Sequence, residues 1–100
     1  MLFMTKLPSA LPLEGIEAGQ GPVLVLLHGA GVDLNLWAPQ MPDFSARHRV
    51  IALNLPGHCD SPMRHGGVPA MAQAVIDTLD MLGIQCAAFV GLSLGGMVAL

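Results

Sequence analysis

Six residues near one end of the chain, Gly91-Leu92-Ser93-Leu94-Gly95-Gly96, have the types and spacing of a nucleophile turn. A serine with glycine two positions before and two after fits a sharp strand-to-helix turn, where side chains on the flanks would collide. Such a turn projects the Ser93 Oγ. It also brings helix N-terminal amides, with their partial positive charge, beside any oxyanion formed on an attacked carbonyl. The chemistry implied is acyl transfer through a serine nucleophile. The plainer alternative is a glycine-rich helix start that carries an ordinary serine.

Two further stretches gain meaning beside the first. His28-Gly29-Ala30-Gly31 follows an apolar run, and its glycines allow a tight loop with free backbone N–H groups. The expected oxyanion donors are the amides of Ala30 and Leu94. His28 reads as a loop anchor rather than a base. Leu55-Pro56-Gly57-His58-Cys59-Asp60-Ser61 also follows an apolar run, and Pro-Gly forces a turn there. Nucleotide loops do not fit: Leu34 stands where a G-x-G-x-x-G would need glycine, and no G-K-[ST] follows a glycine cluster. His28, His58, Cys59 and His65 match no standard zinc spacing, so no metal and no cofactor is expected. Met63, Met71, Met81 and Met97 read as core or pocket filler.

The elements that must position these loops are legible as well. Val23 to Leu27, Val50 to Leu55 and Cys86 to Val90 are short apolar runs bounded by Gly or Pro, as expected of strands buried on both faces. Met71, Val75, Leu79 and Leu82 recur at helical spacing with Ile76 beside them, Pro69 suits the first turn, and Gly83 suits the position past the end. Leu36 to Ala46 is a weaker helical segment, interrupted by Pro39 and Pro42. Leu94 to Leu100 reads as a helix start. Alternating strands and helices predict an α/β fold, a parallel sheet flanked by helices through right-handed crossovers. Ligands then bind at the carboxyl ends of the strands, where all three loops emerge.

The chain has 100 residues, allowing one small domain at most. It is 53% hydrophobic and 11% charged, which excludes a disordered tail or a coiled coil. Four scattered basic residues, Lys6, Arg47, Arg49 and Arg64, make no phosphate-binding stripe, so no nucleic acid is expected. Cys59 and Cys86 are too few for a disulfide scaffold, and no apolar leader stands between Met1 and Pro12. A reduced, cytoplasmic setting is expected. Residues 81–100 carry no charge, the length of a membrane span, and Gly91 and Gly95 have a helix-dimer spacing. The interrupting glycines and the lack of flanking basic residues favour the turn instead, and no membrane association is expected.

Taken together, His28-Gly29-Ala30-Gly31, Trp37, Leu55-Pro56-Gly57-His58, Ser61 and Gly91 to Gly96 resemble the N-terminal part of an α/β-hydrolase fold protein, from about Gly21 onward. The chain is most similar to small carboxylesterases, including the pimeloyl-ester esterases. It also resembles the enol-lactone hydrolases and the menaquinone-pathway lyases. The resemblance implies Ser93 as nucleophile, the Ala30 and Leu94 amides as oxyanion hole, and His28, Gly29 and Trp37 at the substrate. Trp37 could equally be core. A serine at 93 argues against the dehalogenases, whose nucleophile is a carboxylate. Asn54 stands where the family usually has Asp, and Cys59 where it usually has Gly.

The family supplies its triad in the order Ser, acid, His, and all four histidines here precede Ser93. Residues 1–100 therefore read as the N-terminal part of a single hydrolase domain, truncated after the nucleophile elbow. Alone, such a chain is expected to be inactive for want of its base. The expected partner is a small-molecule ester or thioester, and the oligomeric state is left open. The alternatives are a lyase or acyltransferase on the same fold, or a non-catalytic piece that needs a partner.

Overall fold

The computed structural model describes residues 4–100. In chain order it contains β1 (Thr5–Lys6), β2 (Gly15–Ala18), β3 (Val23–Leu27), a 3-10 turn (Leu34–Trp37), α1 (Met41–Ser45), β4 (Arg49–Leu53), α2 (Gly67–Met81), β5 (Ala88–Gly91) and α3 (Leu94–Ala99). The sheet order is β1-β2-β4-β3-β5. The three apolar runs form the parallel part: β3 lies between β4 and β5, pairing Leu27 with Leu53 on one side and with Gly91 on the other. That register brings all three carboxyl ends to one edge, as expected.

The sheet is mixed rather than purely parallel. β1 and β2 form an antiparallel hairpin, and β2 runs antiparallel to β4 from Gly15↔Leu53 to Ala18↔Val50. The sequence reading did not foresee these strands. Gly, Glu and Ala in β2 have poor strand propensity, and β1 is two residues long. What makes β2 a strand is the open edge of β4, reinforced by an ion pair between Arg49 and Glu17 at 2.9 Å.

Alternate residues of the parallel strands feed two cores, because successive side chains point to opposite faces. Val25, Leu27, Ile51 and Leu53 pack with Ala74, Val75 and Leu79 of α2 and Val98 of α3. Leu24, Leu26, Val50 and Ala52 pack with Leu34, Trp37 and Met41 on the other face. The proline-interrupted segment thus splits into the 3-10 turn and the short α1, which close that face. In α2 the buried stripe is Ala74, Val75, Thr78 and Leu79, while Ile76 is 47% exposed. Buried Thr78 satisfies its hydroxyl by donating to the Ala74 carbonyl at 2.8 Å.

The end of α2 shows how local the stop signal is. Gly83 takes φ +74, and its amide donates to the Asp80 carbonyl at 3.0 Å while the Ile84 amide donates to the Leu79 carbonyl at 2.9 Å. This pair of bonds satisfies helix-end carbonyls and needs the left-handed residue that glycine supplies. β5 departs from expectation in its burial: Phe89 and Val90 are 41% and 37% exposed. It is hydrogen-bonded to β3 alone and forms one edge of the described sheet.

Candidate active site

Ser93 sits between β5 and α3 with φ +54 and ψ −111, a conformation costly for any residue with a side chain. Two close approaches impose it. A methyl at Gly95 would collide with the Leu27 and His28 carbonyls, and one at Gly91 would strike the backbone of Gly95 and Gly96. With no Cβ at these places, α3 lies directly on the ends of β3 and β5, and the chain between must turn sharply. Ser93 is left exposed at the strand edge.

The loop after β3 passes beside it. A Cβ at Gly29 would stand 3.7 Å from the Ser93 Cβ, so the backbone at 29 runs against the serine. Ala30 is exposed, and no backbone carbonyl among the described residues accepts from its amide. Leu94 opens α3, so its N–H has no partner inside the helix. Two amides with open hydrogen-bonding capacity therefore stand next in sequence to Gly29 and to Ser93.

His28 is fully buried. Its Nδ1 donates to the Gly29 carbonyl at 2.6 Å, and its Nε2 accepts from the Leu55 amide at 3.0 Å. A carbonyl can only accept, so the ring is neutral with its proton on Nδ1. Burial pushes its pKa below the ordinary 6.5, opposed by the bond to Gly29. The ring of His58 lies edge-on to it, with centroids 4.7 Å apart.

Of the three residues expected at the substrate, Gly29 adjoins the serine, while His28 and Trp37 are buried. His28 differs because both ring nitrogens hold backbone inside the protein. Trp37 differs because its position in the 3-10 turn directs it into the core on one face of the sheet. It is 9% exposed there, and its indole N–H has no partner among the described residues. A tryptophan suits a pocket wall and a core equally well, and only the sheet face it meets decides between them.

The loop after β4 is held by a network that sequence reasoning did not assemble. The Asn54 side chain is 2% exposed and accepts from the Leu34 amide at 2.8 Å. Its Nδ2 donates to the Glu14 carboxylate. Ser61 accepts from the Glu14 amide at 2.9 Å and donates to the Asn54 carbonyl at 2.7 Å. The amide of Asn54 can donate to Glu14, whereas a carboxylate at this position would repel it. Cys59, where the family usually has Gly, keeps the left-handed backbone with φ +49. Desolvation, together with the Asp33, Glu14 and Asp60 carboxylates, pushes its thiol pKa up from 9.0. A cleft of about 530 Å³ lies beside this network, lined by Leu11, Glu14, Leu34, Asn54 and Cys59 among others.

Among the described residues no three or more His, Cys, Asp or Glu side chains are grouped to hold a metal ion. No helix among them is long and apolar enough to cross a membrane. The charge-free stretch 81–100 is instead divided between the end of α2, β5 and α3.

A strand, a sharp turn at an exposed serine, a helix and a glycine loop beside them, all on one edge of the sheet, define a class of protein. The α/β hydrolase fold family model matches residues 22–100, and the chain belongs to that family. It is 44% identical over 82 residues to the dihydrolipoyllysine-residue acetyltransferase component of the acetoin cleaving system of Pseudomonas putida, covering 80% of this chain and 22% of that protein. It is 39% identical over 84 residues to the pimeloyl-(acyl-carrier protein) methyl ester esterase of Methylococcus capsulatus, covering 83% of this chain and 32% of that one. The 2-hydroxy-6-oxo-6-phenylhexa-2,4-dienoate hydrolase of Rhodococcus sp. strain RHA1 superimposes with a TM-score of 0.82 at 27% identity, over 98% of this chain and 40% of its own. The chain thus spans less than a third of the length of these two sequence relatives.

Proposed function

We propose that this chain carries the nucleophile and oxyanion hole of a serine hydrolase acting on a carboxylic ester or thioester. The observation that carries the reading is Ser93, exposed at φ +54 in the sharp turn between β5 and α3. The Ser93 Oγ attacks the substrate carbonyl carbon and gives up its proton to a base. The carbonyl oxygen becomes an oxyanion that accepts from the Ala30 and Leu94 amides. The tetrahedral intermediate expels the alcohol or thiol, which takes that proton, and leaves an acyl-serine. Water then attacks the acyl-serine, releasing the carboxylic acid and restoring the hydroxyl. In this reading the base is a histidine, with its acid, following the elbow in sequence as the family order requires. Gly29 lines the acyl group, whereas His28 and Trp37 act through loop anchoring and core packing.

The esterase-named relative supports an ester substrate. A second reading has its own support: the Pseudomonas putida relative is named as an acetyltransferase component, and an acyl-serine can pass its acyl group to an acceptor other than water. Neither nucleic acid nor membrane enters the reading, and the location is taken as cytoplasmic.

The test is intact-mass spectrometry of the natively expressed protein before and after a fluorophosphonate probe. One adduct mapped to Ser93, absent in Ser93→Ala, supports the reading. No adduct, or an adduct elsewhere, overturns it.

A further inference from the structure

The loop after β3 and the loop after β4 are braced by two histidines that reach in opposite directions. His28, from the first loop, accepts from the Leu55 amide of the second at 3.0 Å. His58, from the second loop, accepts from the Gly31 amide of the first through Nε2 at 3.2 Å. Between the two braced positions lies Ala30. The Gly29 carbonyl before it is held by His28 Nδ1, and the Gly31 amide after it by His58 Nε2.

We infer that His58, in its neutral form, is the positioning residue that fixes the Ala30 amide as an oxyanion donor. The inference rests on the serine-nucleophile reading and deepens it. The Cβ side of Gly31 is open, with nothing within 4 Å of where a methyl would stand. The hydrogen bond to His58 is the tie nearest Ala30 on that side, ahead of the bond from the Leu34 amide to Asn54. The tautomer is determined by the partners. Nδ1 lies 3.2 Å from the Pro56 carbonyl, which can only accept, so Nδ1 carries the proton and Nε2 is free to accept from Gly31. Pro56 is itself buried, so the anchor of the imidazole is rigid.

Protonation of His58 would place an N–H at Nε2 against the Gly31 N–H and release the loop. The His28 ring lies against it, with centroids 4.7 Å apart, and Cys59 and Asp60 follow it on its own loop. An oxyanion donor out of place costs rate rather than binding, because its bond forms fully only in the transition state.

The experiment compares wild type, His58→Phe and His58→Gln in the intact protein. Phe keeps the ring volume and has no acceptor. Gln offers an amide oxygen near the Nε2 position and cannot titrate. With p-nitrophenyl butyrate as the probe substrate, His58→Phe is expected to lose kcat by about tenfold or more with KM changed less than about twofold. His58→Gln recovers most of that loss, and the ratio of wild-type to Gln kcat falls on acidification as His58 protonates. In protein labelled with 15N-glycine, the Gly31 amide resonance moves with the same midpoint in wild type and stays still in His58→Gln. Unchanged kcat in His58→Phe, or a Gly31 resonance indifferent to that titration, overturns the inference while fluorophosphonate labelling of Ser93 still stands. A Gly31 resonance that titrates in a protein whose Ser93 is not labelled overturns the serine reading, and with it the catalytic role of His58. Should His58→Phe fail to fold, the Gln variant and the Gly31 resonance decide alone.

Discussion

The Leu55 amide donates to Nε2 of His28 across 3.0 Å, tying the carboxyl end of β4 to that of β3 inside the protein. Both ring nitrogens are engaged, and burial holds the His28 pKa below 6.5. The unfolded chain takes up this proton near 6.5, the folded chain at lower pH. Between those values the unfolded state binds more protons, so stability falls as pH drops through 6.5 and levels off below the folded value. Urea unfolding of the intact protein should show a lower midpoint at pH 5.5 than at pH 7.5. His28→Leu leaves the Leu55 N–H unpaired at a cost of about 1–3 kcal/mol and should flatten this slope. A variant with the wild-type slope would place the titration elsewhere.

Ser93→Gly should stabilise the protein while abolishing fluorophosphonate labelling. A side chain at φ +54 and ψ −111 costs about 1–3 kcal/mol. The added freedom of glycine in the unfolded chain returns about 1 kcal/mol. A net rise in stability of about 1 kcal/mol is expected, read as a higher Tm. A lower Tm would show that the turn stores no strain at this residue.

Gly95→Ala should do the reverse. The added methyl meets the Leu27 and His28 carbonyls, which are backbone and cannot rotate aside. α3 must lift from the sheet, at an expected cost of about 3 kcal/mol. Because α3 carries the Leu94 amide, labelling of Ser93 should slow in the same variant. Unfolding curves and labelling time courses on one preparation would check both effects.

Asn54→Asp sets two carboxylates against each other, because the Asn54 Nδ2 donates to Glu14. A loss of about 1–3 kcal/mol at neutral pH is expected, easing as pH falls and one carboxyl takes up a proton. The double variant Asn54→Asp with Glu14→Gln should recover most of it, since the amide then sits on the other partner. Failure of Glu14→Gln to rescue in a double-mutant cycle would rule out the Glu14 repulsion as the cause, since a carboxylate at 54 still accepts from the Leu34 amide.

Cys59→Gly should not weaken the fold. The left-handed backbone at φ +49 costs a residue with a Cβ about 1–2 kcal/mol. The thiol makes one hydrogen bond among the described residues, donating to Asp33 at 3.8 Å. The expected outcome is stability unchanged or raised by about 1 kcal/mol, measured as a urea midpoint.

What the sequence determined by itself is what depends on neighbours along the chain. Val23 to Leu27 is apolar, branched and short, and it forms the strand expected of it. Gly83 ends α2 because it takes up the left-handed turn that its helix-end hydrogen bonds need. Gly91 to Gly96 spells the elbow because the collisions that require Gly91 lie within those six residues, although those that require Gly95 come from Leu27 and His28. Tertiary structure decided what depends on distant groups. β2 is a strand because the open edge of β4 supplies its hydrogen bonds, against its own propensity. Trp37 became core through the sheet face it met. Glu14, Asn54 and Ser61 form one network across separations of 40 and 47 residues. His28 and His58 each brace the other's loop over 27 residues. No local pattern encodes such pairs, because each hydrogen bond forms only after the parallel strands have brought their carboxyl ends to one edge.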